Sequence, residues 1–457
     1  MKNPSFLKSC IVLSLLFICN MIYAEESFTV NGITYQLTST TSVAVEKMDV
    51  PHDGHVVFPS EISYRGRTFI VDKIGVSGGS CIFNNPEALI SMVIPSTITG
   101  FGTNSYNYYS FIFTKCVNLK KIVIEDSDSS LGFPESGERR RSMFYNCPLE
   151  EVYIGRNIIY SYYIGSGSQN VEIRYASPFK KQDKLKIVKF GNKVSELYYG
   201  MFFSCNSLEK IEIPVDVKVI PLCAFCNCES LTNVILHEGL LSIEKDAFEC
   251  APISSVTLPN SLVEIGEGCM SGNKLKTLII NDNIKKIPRG AFYSSTLTKV
   301  VIGKSVERMG FSIFGDSSLE EIECRMQNPE DCYFYDSWED KTFSLNNYTW
   351  ATLYVPYGTI EKYKATSPWC NFVSIVEGSP SGVEQVSTKE IHIQSEGGVF
   401  IVQNVKNDTQ VSVYNANGIQ VGSTICKGGY ATLNTNLLHG SIAFVKIGAK
   451  IFKVLVE

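Results

Sequence analysis

Residues 223–228 read Cys223-Ala224-Phe225-Cys226-Asn227-Cys228. Three cysteines in six residues could do one of three things. They could hold zinc, which needs several thiolates converging tetrahedrally. They could form a local disulfide, which needs two sulfurs at bonding geometry. Or one of them could belong to a column of small side chains repeated along the chain. Other chemistry-bearing residues are sparse. His52-Asp53-Gly54-His55 reads as a polar turn, because two histidines are too few for a zinc site. His237, His392 and His439 have no candidate partners in the sequence. Asp126-Ser127-Asp128-Ser129-Ser130 faintly echoes a calcium loop but lacks the distal bidentate glutamate. Arg139-Arg140-Arg141 reads as solvated loop charge, with an anion-binding patch as the alternative. No H-E-x-x-H, G-x-S-x-G or Walker A motif is present. No catalytic residue, cofactor or metal is therefore expected, and the protein reads as non-enzymatic.

Internal periodicity decides how to read the cysteines. Six segments begin at Met201, Ala224, Ala247, Cys269, Ala291 and Ile313, spaced by 23, 23, 22, 22 and 22 residues. Each carries an apolar or aromatic pair, a small polar residue or Cys, then L-x-x-V-x-I and V-x-x-I. Leu208, Ile211, Ile213, Val217 and Ile220 of the first become Leu231, Val234, Leu236, Leu240 and Ile243 in the second. The alternation is strand period, with one face in and one face out. A unit of this size cannot bury its apolar face alone and must stack on its neighbours. Cys228 then falls in a column with Cys116, Cys147 and Cys205 before it and Cys250 after it. Asn273, Ser295 and Ser317 take equivalent or nearby places. Such residues fit inside a coil and offer hydrogen bonds to turning backbone. Cys223 and Cys226 stay off the column. The period favours the structural column, with zinc and a local disulfide as the alternatives.

Lys2 and Lys8, the apolar run Ile11–Ile18 and Ala24 form the three-part layout of a secretory signal peptide over residues 1–24. A lipoprotein reading at Cys19 is disfavoured by Phe17 and Ile18. No later segment reaches ~18 consecutive apolar residues, so no transmembrane helix is expected. Removing Lys2 and Lys8 leaves 39 basic against 46 acidic residues, a net charge of −7. That gives no support for nucleic-acid binding, which needs a basic face. Thirteen cysteines remain, an odd number, implying at least one unpaired thiol or an intermolecular link.

The same grammar runs upstream through Leu185-Val188-Phe190, Val152–Ile154, Ile122–Ile124 and Met92–Pro95. Val56–Pro59 with Val71 and Ile74 forms a first coil, and Phe28–Tyr35 reads as a capping hairpin. Downstream, Ala351–Pro356 reads as the last strand and Tyr357–Lys364 as a short closing helix. This makes roughly eleven or twelve coils, a stack of about 50–60 Å at ~4.8 Å each. Over about residues 50–376 the chain resembles the BspA-like leucine-rich repeat family. The carriers are the AFxxC-x-x-L-x-x-V-x-I-P units and the closing ATLYVP…YK…W segment. The resemblance implies a β-rich right-handed leucine-rich repeat solenoid, exported to a bacterial surface, with adhesion roles among its members and no catalytic residues. The expected layout is a cap and first coil at 25–75, the solenoid at 76–376, a linker at 377–388 and a C-terminal domain at 389–457. Frequent turns, including Asn415-Ala416-Asn417-Gly418, make that domain a small all-β sandwich. It is similar to C-terminal domains of bacterial surface proteins, including sorting domains. A plain structural module is favoured, because Gly440-Ser441-Ile442-Ala443-Phe444 lacks the usual Gly-x-Tyr.

Insertions in repeat proteins gather on one face, often the binding face. Three departures from the period here are tyrosine-rich. They carry Tyr106, Tyr108 and Tyr109; Tyr160, Tyr162 and Tyr163 with Tyr175; and Tyr333, Tyr335 and Trp338. Tyr and Trp supply large amphipathic contact area at low entropic cost. These ten residues are the candidate ligand-binding set, the alternative being that the rings shield their own coil edge. The expected role is adhesion or binding of a host or neighbouring-cell protein or glycan. The alternative is a scaffold or spacer in a surface assembly with no soluble ligand.

Overall fold

The structure, a computed structural model, describes residues 27–456 apart from 77–80, 103–111, 114, 135–141, 161, 165–172, 176, 295, 316, 336–341, 381–391, 397, 404, 406–407, 428–429 and 449. Residues 1–24, expected as a signal peptide, the arginine run 139–141 and most of the expected linker lie outside the described residues. The chain divides into two compact units, one ending at Gly378 and one starting at Ser379.

The first unit is strand-rich with few helices, and its repeats are joined by parallel ladders. The L-x-x-V-x-I segments make the first ladder. Its strands His55–Val57, Ser91–Ile94, Lys121–Ile124, Glu151–Arg156 and Ile187–Lys193 pair in parallel. Val56, Met92, Ile122, Val152 and Val188 stand side by side in that register. The ladder then restarts with Lys210–Glu212 beside Asn233–Ile235. It restarts again with Thr277–Ile279, Lys299–Ile302, Glu321–Cys324, Thr352–Val355 and Ser374–Glu377. The last of these corrects one sequence expectation. Ala351–Pro356 does not end the array, because Leu353 pairs onward with Ile375.

The V-x-x-I segments make a second parallel ladder. Val219–Ile220, Ser242–Ile243 and Glu264–Ile265 pair in turn, as do Lys286–Ile287, Arg308–Met309 and Tyr333–Phe334. The inward residues Ile220, Ile243, Ile287 and Met309 are fully buried, as period-2 alternation demands.

The third face is built from turns, and its backbone bonds alternate. The N–H groups of Gly200, Phe202 and Ser204 donate to Leu222, Ala224 and Cys226 of the next coil. Those of Cys223, Phe225 and Asn227 donate onward to Lys245, Ala247 and Glu249. The intervening residues donate three positions back within their own coil, as Phe203 does to Gly200 and Cys226 to Cys223. This alternation requires left-handed backbone at fixed places, and φ is near +50 to +60° at Gly200, Cys223, Asp246, Gly268, Gly290 and Ser312.

The column of small residues is real, but Cys250 is not in it. The residue equivalent to Cys205 and Cys228 is Ala251, which is buried. Cys250 instead occupies the exposed left-handed turn position held by Ser204, Asn227 and Gly272 in other coils. In the column, the thiols of Cys147, Cys205 and Cys228 donate to the carbonyls of Phe113, Phe179 and Phe202, at 3.3, 3.1 and 3.2 Å. Asn273 donates to Met270 at 2.9 Å, and the Ser317 hydroxyl donates to the Phe314 carbonyl.

A spine of phenylalanines fills the coil interior. Phe144, Phe179, Phe202, Phe225 and Phe248 stack face to face, with successive centroids 5.8, 5.8, 5.5 and 5.2 Å apart. Antiparallel strands Ser27–Val30 and Ile33–Leu37 close one end, with Phe28 stacked on Tyr64 at 4.1 Å. At the other end lie short helices Leu345–Trp350 and Ile360–Ala365 and the buried Tyr363 and Trp369.

The second unit is antiparallel. One sheet pairs His392–Glu396, Val399–Gln403 and Tyr430–Asn434. The other pairs Gln420–Ile425, Gln410–Asn415, Ile442–Ile447 and Lys450–Leu455. Phe400, Val402, Val411, Val413 and Val445 form its own core.

Candidate functional site

The outward side chains of the second ladder frame two adjoining grooves. The larger, about 770 Å³, runs from Tyr199 and Leu222 across Lys245 and Val263 to Lys285 and Lys286. The smaller, about 600 Å³, lies between Glu267, Lys286, Pro288, Arg289 and Tyr335. Both share Ile265, Gly266 and Lys286, so they form one surface crossing successive coils.

Gly266 sets the floor. A Cβ there would stand 2.2 Å from the Lys245 amide nitrogen and 2.4 Å from the Glu244 carbonyl carbon. The coil backbones approach too closely for any side chain.

The charges on this surface are ordered. Lys245 pairs with Glu267 at 3.0 Å and Lys285 with Glu307 at 2.8 Å, each bridging adjacent coils. These bonds raise both ammonium groups above their ordinary range. Lys286 lies 4.8 Å over the ring of Tyr335, and Arg289 lies 5.6 Å over Phe311. A cation seated on an aromatic face is attracted to the ring and oriented by it.

The structure sorts the ten expected aromatic residues. Tyr335 lines the groove, and Tyr333 stands 65% exposed on the same ladder, in register with Arg308. Tyr160 does not face solvent. It is only 4% exposed, its hydroxyl donates to the Tyr199 carbonyl at 2.8 Å, and its ring packs edge-on against Tyr198. Burial pushes its phenol well above the ordinary range. Tyr162, Tyr163 and Tyr175 lie on an antiparallel hairpin, with Tyr162 opposite Tyr175. Tyr106, Tyr108, Tyr109 and Trp338 lie outside the described residues.

Other sequence candidates are engaged in local structure. Asp126 accepts the Tyr153 hydroxyl at 2.9 Å and Asp128 pairs with Lys193 at 2.8 Å. His55 Nδ1 is 2.7 Å from the Ser91 hydroxyl. His237, which has no evident partner in the sequence, lies 3.1 Å from Glu212, one coil back. Among the described residues no group of three or more His, Cys, Asp or Glu side chains is placed to hold a metal. No helix among them is long and apolar enough to cross a membrane. Lys286 and Arg289 were missed in the sequence because neither belongs to a linear motif. Their signal is positional: Lys286 falls at an outward place of the V-x-x-I segment, and Arg289 stands in the turn two residues after its last isoleucine.

A family model described as "BspA type Leucine rich repeat region" matches in six copies, over residues 72–172, 140–254 and 220–341. Among solved structures, the chain is similar to a leucine-rich repeat protein from Bacteroides ovatus, at 18% identity over 77% of this chain and 100% of that one, with a TM-score of 0.38. It is similar to a leucine rich cell surface protein from Faecalibacterium prausnitzii, at 16% identity over 78% of this chain and 95% of that one, with a TM-score of 0.34. A T. pallidum leucine rich repeat protein matches at 19% identity over 54% of this chain and 88% of that one, with a TM-score of 0.32. No curated protein matches. The repeat grammar, the parallel ladders and the family match over more than half of the residues agree: the chain belongs to the BspA-type leucine-rich repeat family.

Proposed function

We propose that this is an exported, non-enzymatic bacterial surface protein that binds a host or neighbouring-cell protein or glycan. In this reading the repeats wind as a right-handed solenoid, the tail is a small β-sandwich, and the groove on the second ladder is the binding face. The supporting observation is that groove: it joins residues from successive coils and gathers Lys286, Arg289 and Tyr335, with Tyr333 on the same ladder. Aromatic and guanidinium groups of this kind dominate interface energetics. The hairpin carrying Tyr162, Tyr163 and Tyr175 is proposed as a second contact, because it leaves the repeat register.

The test is binding of the protein without residues 1–24 to matrix proteins, mucins and glycan arrays. A retained ligand is expected, with binding weakened at least about tenfold by Tyr335→Ala or Lys286→Ala at unchanged melting temperature. Blank arrays together with self-association in light scattering would overturn the reading in favour of a scaffold. Equal retention by both variants would remove the groove from it.

A further inference from the structure

We propose that Cys223 and Cys226 are a redox-active dithiol that closes to an intramolecular disulfide by exchange with a low-molecular-weight disulfide. The inference is independent of the binding reading. A turn opens each of the six coils from Gly200 to Ser312 on the third face. The Cys226 N–H donates to the Cys223 carbonyl at 3.2 Å. The same bond joins Phe203 to Gly200, Glu249 to Asp246, Ser271 to Gly268, Tyr293 to Gly290 and Gly315 to Ser312, at 3.0–3.3 Å. A turn closed this way holds its first and fourth Cα atoms within about 7 Å. A disulfide spans about 4.4–6.8 Å. The fold therefore brings these two residues into bridging range whatever they are. In this coil alone among the six, both are cysteines.

The two thiols stand apart from the small-residue column. The column cysteines, Cys205 and Cys228, are fully buried and donate to phenylalanine carbonyls of the preceding coil. Cys223 and Cys226 instead form a cluster separate from the main core, walled by Tyr199, Phe203 and Leu222. They are 5% and 2% exposed, and their side chains hydrogen-bond to each other. Tyr199 and Leu222 also line the larger groove, which gives a small disulfide an approach.

The surroundings assign each sulfur a part. Lys245, on the next coil, interacts electrostatically with Cys223, and the thiolate is the form that acts as nucleophile. Glu249, also on the next coil, accepts from the Cys226 thiol at 3.4 Å. The bond to Cys223, burial and Glu249 all push the Cys226 thiol up, so it stays protonated. The Cys223 thiolate attacks one sulfur of RSSR, and RS⁻ leaves to be protonated by water. Cys226 passes its proton to the Glu249 carboxylate and attacks the Cys223 sulfur of the mixed disulfide, releasing the second RS⁻. Two protein thiols are oxidised, one disulfide is reduced, and two RSH form.

The experiment equilibrates the full chain in oxidised and reduced glutathione mixtures, then quenches by acid, denatures, alkylates and maps tryptic peptides. The segment between Lys218 and Lys245 carries Cys223, Cys226 and Cys228. Closure predicts that peptide carrying one alkyl group instead of three and weighing about 2 Da less than its singly alkylated reduced form, with the alkyl group assigned by fragmentation to Cys228. Cys223→Ser and Cys226→Ser are each expected to abolish the loss, and Glu249→Gln to slow its appearance. Gly200 and Ser312 show that the first position accepts small residues. The wild-type map needs no variant to fold. Full alkylation of all three cysteines at every glutathione ratio, or a bridge that includes Cys228, would overturn the proposal. So would persistence of the loss in Cys223→Ser.

Discussion

Replacing Phe225 by alanine tests the central packing argument. The ring is fully buried between Phe202, 5.5 Å away at 13°, and Phe248, 5.2 Å away at 7°. Removing a fully buried phenylalanine side chain costs about 3–5 kcal/mol. Two offset-stacked partners contribute about 0.5–1.5 kcal/mol each beyond area burial, which places this site at the upper end, about 4–5 kcal/mol. Phe225→Met separates the two contributions. Met270 occupies the same place two coils on, so the fold accepts the side chain, and a near-volume-conserving swap costs less than about 1.5 kcal/mol. In a repeat array, stability is close to a sum of single-coil and nearest-neighbour terms. The alanine variant loses both interfaces of one coil and uncouples the stretches on either side. Urea unfolding followed by circular dichroism should show the midpoint falling by about 1.5 M for a slope near 3 kcal/mol/M. The curve should also broaden or split. A loss under about 1 kcal/mol, or equal losses for alanine and methionine, would refute the reasoning.

Asp246→Asn should stabilise the protein at pH 7 and not at pH 4. Burial, helped by Glu249, raises the Asp246 carboxyl to about 6. The group therefore opposes folding only once ionised: below about pH 4 it costs nothing, and stability is lost as pH rises from about 4 to 6. Because the carboxylate is only partly buried, the gain at pH 7 should be on the order of 1 kcal/mol, read from melts across that range. Gly266→Ala should destabilise by about 3 kcal/mol, because its Cβ meets backbone that cannot step aside. Gly290→Ala, with open space but φ of +59°, should lose only about 1–2 kcal/mol. Cys228→Ser should stay within about 1.5 kcal/mol of wild type, since the hydroxyl can also donate to the Phe202 carbonyl. Cys228→Leu should overpack the coil and lose more.

Local periodicity exposed the two parallel ladders, because one apolar face per strand leaves a period-2 trace in a single unit. It also exposed the capping hairpin, whose residues 28–35 fold as expected. The cysteine column was legible except at Cys250. There residue identity misled: AFEC resembles AFCNC, but the backbone places Ala251 inside and turns Cys250 out. The extra strand Ser374–Glu377 escaped because Ser374-Ile375-Val376-Glu377 carries too few apolar residues to stand out. The groove escaped for a different reason. Lys245, Lys286 and Tyr335 come from separate coils up to 90 residues apart, and only stacking makes them neighbours. Tyrosine content marked Tyr335 but could not distinguish it from Tyr160, whose hydroxyl finds the Tyr199 carbonyl one coil on.

The three faces of the coil divide the labour in a way that bears on where function can evolve. The backbone is bonded through strand pairing between neighbouring coils on two faces, and on the third by donation alternately to the next coil and within the same one. Inward positions hold phenylalanine, aliphatic and methionine side chains and, in the column, small residues. Outward positions carry none of that burden. Along the two stretches of this ladder the outward residues run Ser242, Glu264 and then Lys286, Arg308, Tyr333, mixing hydroxyl, anion, cation and aromatic ring, while the inward residues beside them remain apolar. The first and fourth turn positions on the third face vary in the same way. They hold Gly and Phe, then Cys and Cys, then Asp and Glu in three successive coils, all with the same backbone bond. Side chains at such places can change charge or redox chemistry with little effect on folding. The groove and the thiol pair both lie at outward or turn positions of this kind, where neither was needed to build the stack.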